Sequence, residues 1–195
     1  MTTANKVTIL RILLTPFFVA AVLYYERTGI QAYRLLALLT FAVASICDGV
    51  DGYIARRFNQ RSELGAILDP LADKLLLVSA LVFLSFDYGK HLVSIPLWMT
   101  VTVLGRDLLL LVGLGVIHLV VGKVVVRPRF IGKVATVLQM VVILWILLRL
   151  EGRWVFGWAL AAAICTGLSG ALYAWDWTRQ MGAHPSSSAS PKAGS

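Results

Sequence analysis

The chain has 195 residues, of which 58% are hydrophobic and 14% charged, and its mean hydropathy is +0.80. A water-soluble domain carries about a quarter charged residues, so a soluble globular fold is excluded. The net charge of +8 is scattered along the chain, which argues against a nucleic-acid surface and fits anionic lipid headgroups.

Six apolar stretches long enough to cross a bilayer as helices follow one another. They run from about Val7 to Tyr25, Tyr33 to Ile54, Leu64 to Phe86, Leu92 to Val121, Ile131 to Leu150 and Trp154 to Trp177. Tyr24, Tyr25, Trp154, Trp175 and Trp177 fall at their ends, where amphipathic rings favour the interface. The expected fold is therefore an all-α integral membrane protein, a six-transmembrane-helix bundle. The first stretch lacks a small-residue cleavage pattern and reads as a retained span. Residues 1–181 read as one membrane domain. The Ser/Pro/Ala-rich residues 182–195 have nothing to bury and read as a disordered tail. Cys47 and Cys165 fall inside spans and read as small buried hydrophobes rather than a disulfide.

Basic residues set the expected orientation. The two termini with the 55–63 and 122–133 loops hold 11 of the 18 Lys and Arg residues, and the opposite loops hold 5. Lys74 and Arg106 lie within spans. The positive-inside rule makes the richer side cytoplasmic, in an inner (plasma) membrane, with both termini on that side.

The second and third spans carry an unusual load. Asp48 and Asp51 share one helix face at a spacing of three, and Asp69 and Asp73 share another at a spacing of four. A carboxylate at the bilayer centre costs at least about 2.5–3.5 kcal/mol, so four in one hairpin must face a wet or protein-lined interior. The short loop between the spans predicts antiparallel neighbours whose acidic faces converge at the cytoplasmic interface. Four clustered carboxylates repel unless cations compensate, and two divalent ions balance them. Oxygen ligands select Mg²⁺ or Mn²⁺. His91, His118 and His184 are far apart in sequence and read as interfacial or surface histidines, which disfavours zinc. Gly52, Ala55 and Gly65 leave room beside the carboxylates for a substrate, and Arg56 is placed to clamp a phosphate. Taken singly, each glycine also suits close helix packing.

The pattern Asp48-x-x-Asp51-Gly52-x-x-Ala55-Arg56, eight residues, then Gly65-x-x-x-Asp69-x-x-x-Asp73 resembles the signature of the CDP-alcohol phosphatidyltransferases. The opening Asn5, Thr8 and Arg11 are similar to the start of that family, with Val7 where leucine is usual and Ala4 where proline is usual. The resemblance implies a small six-helix membrane enzyme, often a homodimer, that transfers a phosphatidyl group from CDP-diacylglycerol to an alcohol and releases CMP. By position, it implies that Asp48, Asp51, Asp69 and Asp73 hold the metals and that Asp73 also acts as base on the acceptor hydroxyl. It further implies a CDP pocket at Asn5, Thr8, Gly52, Ala55, Arg56 and Gly65.

A phosphorylated acceptor calls for cations, and the candidates are Arg106, Arg127 and Lys133, with Arg129 beside them. For Arg106 the competing reading is a buried ion pair with an aspartate of another helix. For Arg127 and Arg129 it is charge that fixes topology. The run Gly132-Lys133-x-x-Thr136-x-x-Gln139, read as one helix face, resembles bacterial phosphatidylglycerophosphate synthases and implies glycerol 3-phosphate as acceptor. Arg106-Asp107 and Arg127-Pro128 resemble the cardiolipin synthases of the same family, whose acceptor is phosphatidylglycerol. From another class, a small cation transporter also places carboxylates within the membrane.

Overall fold

The computed structural model describes residues 3–58, 63–87, 91–121 and 130–182, with side chains over 9–47, 74–87, 91–113 and 130–176. The described residues form six helices and no strand: α1 Thr3–Thr28, α2 Gln31–Phe58, α3 Glu63–Ser85, α4 Leu97–Val121, α5 Phe130–Leu147 and α6 Arg153–Gly182. The tail from 183 onward lies outside the described residues.

Two tight turns show how the chain reverses. α1 ends at Gly29, whose φ of +70° only glycine adopts without strain, and whose N–H donates to the Tyr25 carbonyl at 2.8 Å. Thr28 Oγ1 donates to the Tyr24 carbonyl at 2.7 Å, and α2 starts two residues beyond Gly29. α5 ends with Arg149 at a φ of 55°, in a position that usually takes glycine. There the Leu150 N–H donates to the Trp145 carbonyl and the Arg149 N–H to that of Ile146. These bonds satisfy the last carbonyls of α5 and end it at Leu147, short of the expected Leu150.

The fourth span also starts later than the sequence suggests, at Leu97 rather than Leu92. Pro96 disfavours helical geometry in the residue before it. The stretch ahead of α4 instead hangs on α3, with the Ile95 N–H donating to the Leu84 carbonyl at 2.8 Å.

The helices alternate in direction, so the molecule has two polar ends. One end gathers Arg11, Ser45, Lys74, Arg106, Asp107, Gly132 and Ser169, one or more from each helix. The other gathers Tyr25, Glu26, His91, Leu92 and Arg149. At that second end Glu26, only 5% exposed, accepts from the backbone N–H of Leu92 at 2.8 Å and of His91 at 3.3 Å. His91 is half-buried, edge-on to the Tyr25 ring, rather than a surface histidine.

Between the ends lies an apolar core built on Phe18, Phe41, Leu81, Met99, Ile143 and Leu147. Hydroxyl and amide groups link helices inside it. Ser85 Oγ meets Thr100 Oγ1 at 2.5 Å between α3 and α4, and Gln139 Nε2 donates to Thr166 Oγ1 at 3.1 Å between α5 and α6. Small hydroxyl residues join membrane helices in this way without exposing a polar group to lipid.

Large apolar side chains also cover the outside, among them Leu13, Phe17, Leu39, Ile46, Leu111 and Phe130. Such a surface is costly in water and suited to lipid. Among the described residues three helical segments are long and apolar enough to cross a membrane: Ile9–Thr28, Phe130–Leu147 and Arg153–Asp176. Cys47 and Cys165 are free thiols, half-buried rather than fully enclosed.

Candidate active site

The motif residues sit where two helices approach their shared connection. Asp48, Asp51, Gly52, Ala55 and Arg56 lie in the C-terminal part of α2. Gly65, Asp69 and Asp73 lie in the N-terminal part of α3, which starts five residues after α2 ends. Asn5 and Thr8 lie in the first turns of α1. The side chains of all these residues fall outside the described ones, and Arg127 falls outside entirely. Among the described residues no three His, Cys, Asp or Glu side chains gather into a metal-binding group.

α2 and α3 are antiparallel, as expected, but their described residues do not mainly pack on each other. Each packs on α1. A cavity of about 160 Å³ lies between them, lined by Arg11 of α1, Ala44 and Ser45 of α2, Lys74, Leu76 and Leu77 of α3, and Thr136 and Met140 of α5. Ser45 precedes Asp48 by one helical turn, and Lys74 directly follows Asp73. The cavity therefore adjoins both carboxylate segments, and its described lining contains two cations and no acid.

Lys74 does not stand alone. Its Nζ lies 2.5 Å from Asp107 Oδ2 on α4. The other oxygen, Oδ1, accepts from Arg106 Nη1 at 2.8 Å. Arg106 Nη2 reaches Ser169 Oγ on α6 at 3.3 Å. One carboxylate thus bridges two cations, and the chain of contacts links α3, α4 and α6. Two glycines leave the room for Arg106. A Cβ at Gly132 would lie 3.0 Å from Arg106 Nη2, and one at Gly170 would lie 3.3 Å from Arg106 Cγ.

The acceptor candidates therefore separate. Arg106 is largely enclosed, with its side chain 13% exposed, and among the described residues it pairs with its chain neighbour Asp107. Lys133 is exposed. Thr136 and Gln139 do not share its face: Thr136 lines the cavity and Gln139 is buried against Thr166. Lys74 and Asp107 are absent from the site residues expected from sequence. Their signal was present, since each is a charged residue inside an apolar span.

Residues 1–168 match the family model for CDP-alcohol phosphatidyltransferase. The chain belongs to the CDP-alcohol phosphatidyltransferase family. Three relatives show its place there. It is 39% identical over 150 residues to the probable phosphatidylglycerophosphate synthase of Mycobacterium tuberculosis (strain ATCC 25618 / H37Rv), covering 76% of this chain and 67% of that one. It is 35% identical over 181 residues to the cardiolipin synthase (CMP-forming) of Streptomyces coelicolor, covering 90% and 79%. It is 36% identical over 142 residues to the CDP-diacylglycerol–glycerol-3-phosphate 3-phosphatidyltransferase of Escherichia coli (strain K12), covering 73% and 74%. This CDP-alcohol phosphatidyltransferase is thus a membrane enzyme of phospholipid synthesis, in a family that acts with divalent metals.

Proposed function

We propose that this enzyme transfers the phosphatidyl group of CDP-diacylglycerol to glycerol 3-phosphate, giving phosphatidylglycerophosphate and CMP. The observation that carries the reading is the cavity lined by Arg11 and Lys74, which borders the stretches of α2 and α3 in whose sequence the family's four aspartates fall. Relatives named for the glycerol 3-phosphate reaction support this acceptor.

In the proposed step, the acceptor hydroxyl oxygen attacks the phosphorus that carries the diacylglycerol. A new P–O bond forms, the anhydride bond to the cytidylyl phosphate breaks, and CMP leaves with the electron pair. Asp73 takes the hydroxyl proton. Asp48, Asp51, Asp69 and Asp73 offer only carboxylate oxygens, a donor set that suits two Mg²⁺ or Mn²⁺ ions. Bound there, such ions would polarise the diphosphate and neutralise charge on the leaving group. Gly52, Ala55, Gly65, Asn5 and Thr8 make room for the CDP group, and Arg56 pairs with its phosphate. Arg106, Arg127 and Lys133 are the proposed acceptor cations.

The same reading takes residues 1–181 as the catalytic membrane domain, crossing the inner (plasma) membrane six times, and 182–195 as a tail. Both termini and the active site face the cytoplasm, and the enzyme acts as a homodimer. A second reading, cardiolipin synthesis from phosphatidylglycerol, is favoured by Arg106-Asp107 and by the Streptomyces relative, which aligns over the longest stretch of the three. The deciding experiment supplies the purified enzyme with CDP-diacylglycerol and either glycerol 3-phosphate or phosphatidylglycerol, and identifies the lipid product. Phosphatidylglycerophosphate is expected. Cardiolipin as the only product would overturn the acceptor assignment.

A further inference from the structure

Lys74 is the described cation best placed to meet a substrate. It lines the cavity next to the carboxylate segments, its side chain is 42% exposed, and it directly follows Asp73 on α3. An ammonium group has three N–H donors. Among the described residues one of them goes to Asp107, which leaves two for a ligand.

Asp107 does not cancel this charge. It is shared between Lys74 and Arg106, so the three groups together carry one net positive charge. Arg11, 2% exposed, also lines the cavity but is buried and has contacts of its own. The hydroxyls in the wall contribute little as donors. Ser45 Oγ already donates to the Phe41 carbonyl at 2.8 Å, and Thr136 Oγ1 to the Gly132 carbonyl at 3.1 Å. An anionic group entering the cavity therefore has Lys74 as its most available partner. The other described lining residues, Ala44, Leu76, Leu77 and Met140, are apolar, which strengthens an ionic contact made beside them.

We infer that Lys74, held in position by Asp107, binds a phosphate oxygen of a substrate in the cavity between α1, α2, α3 and α5. Lys74 is the contacting group and Asp107 the positioning residue. The inference rests on the phosphatidyl-transfer reading. Two phosphates share the required chemistry: the phosphate of the acceptor and the diphosphate of the CDP-lipid.

The test measures steady-state CMP release by the full-length enzyme in detergent micelles, varying glycerol 3-phosphate and CDP-diacylglycerol separately. It compares wild type, Lys74→Met, Lys74→Arg and Asp107→Asn, with thermal unfolding measured in parallel. Loss of one charged hydrogen bond predicts that Lys74→Met raises one KM about tenfold or more while the other stays within about twofold. A rise for glycerol 3-phosphate assigns Lys74 to the acceptor, and a rise for CDP-diacylglycerol assigns it to the donor diphosphate. Lys74→Arg, which keeps the charge, is expected to recover most of the loss. Asp107→Asn is expected to raise the same KM by a smaller factor. Unchanged KM values, or a fall in kcat that tracks lost thermal stability and is not recovered by arginine, would overturn the inference and leave the ion pair a strut between helices. If wild type releases CMP only with phosphatidylglycerol, the acceptor assignment fails on its own, and Lys74 is read against that acceptor in the same way.

Discussion

Lys74 Nζ on α3 and Asp107 Oδ2 on α4 lie 2.5 Å apart, and Asp107 also accepts from Arg106 at 2.8 Å. Removing the shared carboxylate strands Arg106 in a largely enclosed site. Breaking a buried pair of this kind costs about 3 kcal/mol. Asp107→Ala should therefore lower stability clearly in denaturant unfolding of the detergent-solubilised enzyme. Replacing Arg106 and Asp107 together by Met and Leu should cost less than Asp107→Ala alone, because the enclosed Arg106 charge is removed with its partner and the one left unpaired, Lys74, is 42% exposed and can be solvated. Equal losses for the two variants would mean that the pair does not carry the effect.

The glycines of this enzyme should divide by what faces them. Gly132→Ala pushes a methyl against Arg106 and Ser169, neither of which can yield without loosening the ion-pair network. Its unfolding temperature should fall. Gly157 and Gly167 meet nothing within 4 Å. Alanine there removes the helix penalty of glycine, about 1 kcal/mol, so these variants should be neutral or more stable. A Gly132→Ala enzyme as stable as Gly157→Ala would contradict the enclosed placement of Arg106.

Glu26 controls the opposite end. It receives two backbone N–H groups from the segment before α4, and Glu26→Ala leaves both without an acceptor. The expected cost is about 1–3 kcal/mol, with Glu26→Gln losing less because it keeps one carbonyl acceptor. KM for both substrates should stay near wild type, since the carboxylate segments lie at the other end. A large rise in either KM with little change in stability would show that the two ends are coupled.

Asp73→Asn keeps the shape of the side chain and removes its ability to take a proton. Loss of a general base lowers turnover by about 10²- to 10⁴-fold. The variant should elute and unfold as wild type does while CMP release falls by that amount. Full retained activity would remove Asp73 from the proton-transfer role.

Much of this architecture was legible in the sequence. All six apolar stretches correspond to helices, because a lipid-facing helix leaves a long run of apolar residues that has little other use. The errors fall at ends, where backbone chemistry overrides hydropathy: Pro96 delays α4, and the left-handed turn at Arg149 ends α5 early. The aspartate motif was readable because its spacing is local to two helices. Lys74–Asp107 was not, since the partners are 33 residues apart and pair only once α3 and α4 are packed. Arg106 was legible only in part. Sequence offered it as a ligand for the acceptor or as a partner for a distant acid, and could not show that among the described residues it pairs with Asp107 beside it and reaches Ser169 on α6. Nor could sequence show that Arg11 and a cavity stand between α2 and α3, because a short connection predicts neighbours without specifying what fills the gap.

Metal-supported transfer from a CDP-lipid is tested most directly by CMP release. Purified enzyme would be stripped with EDTA, supplied with CDP-diacylglycerol and glycerol 3-phosphate, and titrated with Mg²⁺. The expected result is negligible CMP without the divalent ion, saturable recovery on adding it, and phosphatidylglycerophosphate formed in equal amount. CMP release undiminished in EDTA, or none at any Mg²⁺ or Mn²⁺ concentration with either acceptor, would contradict it.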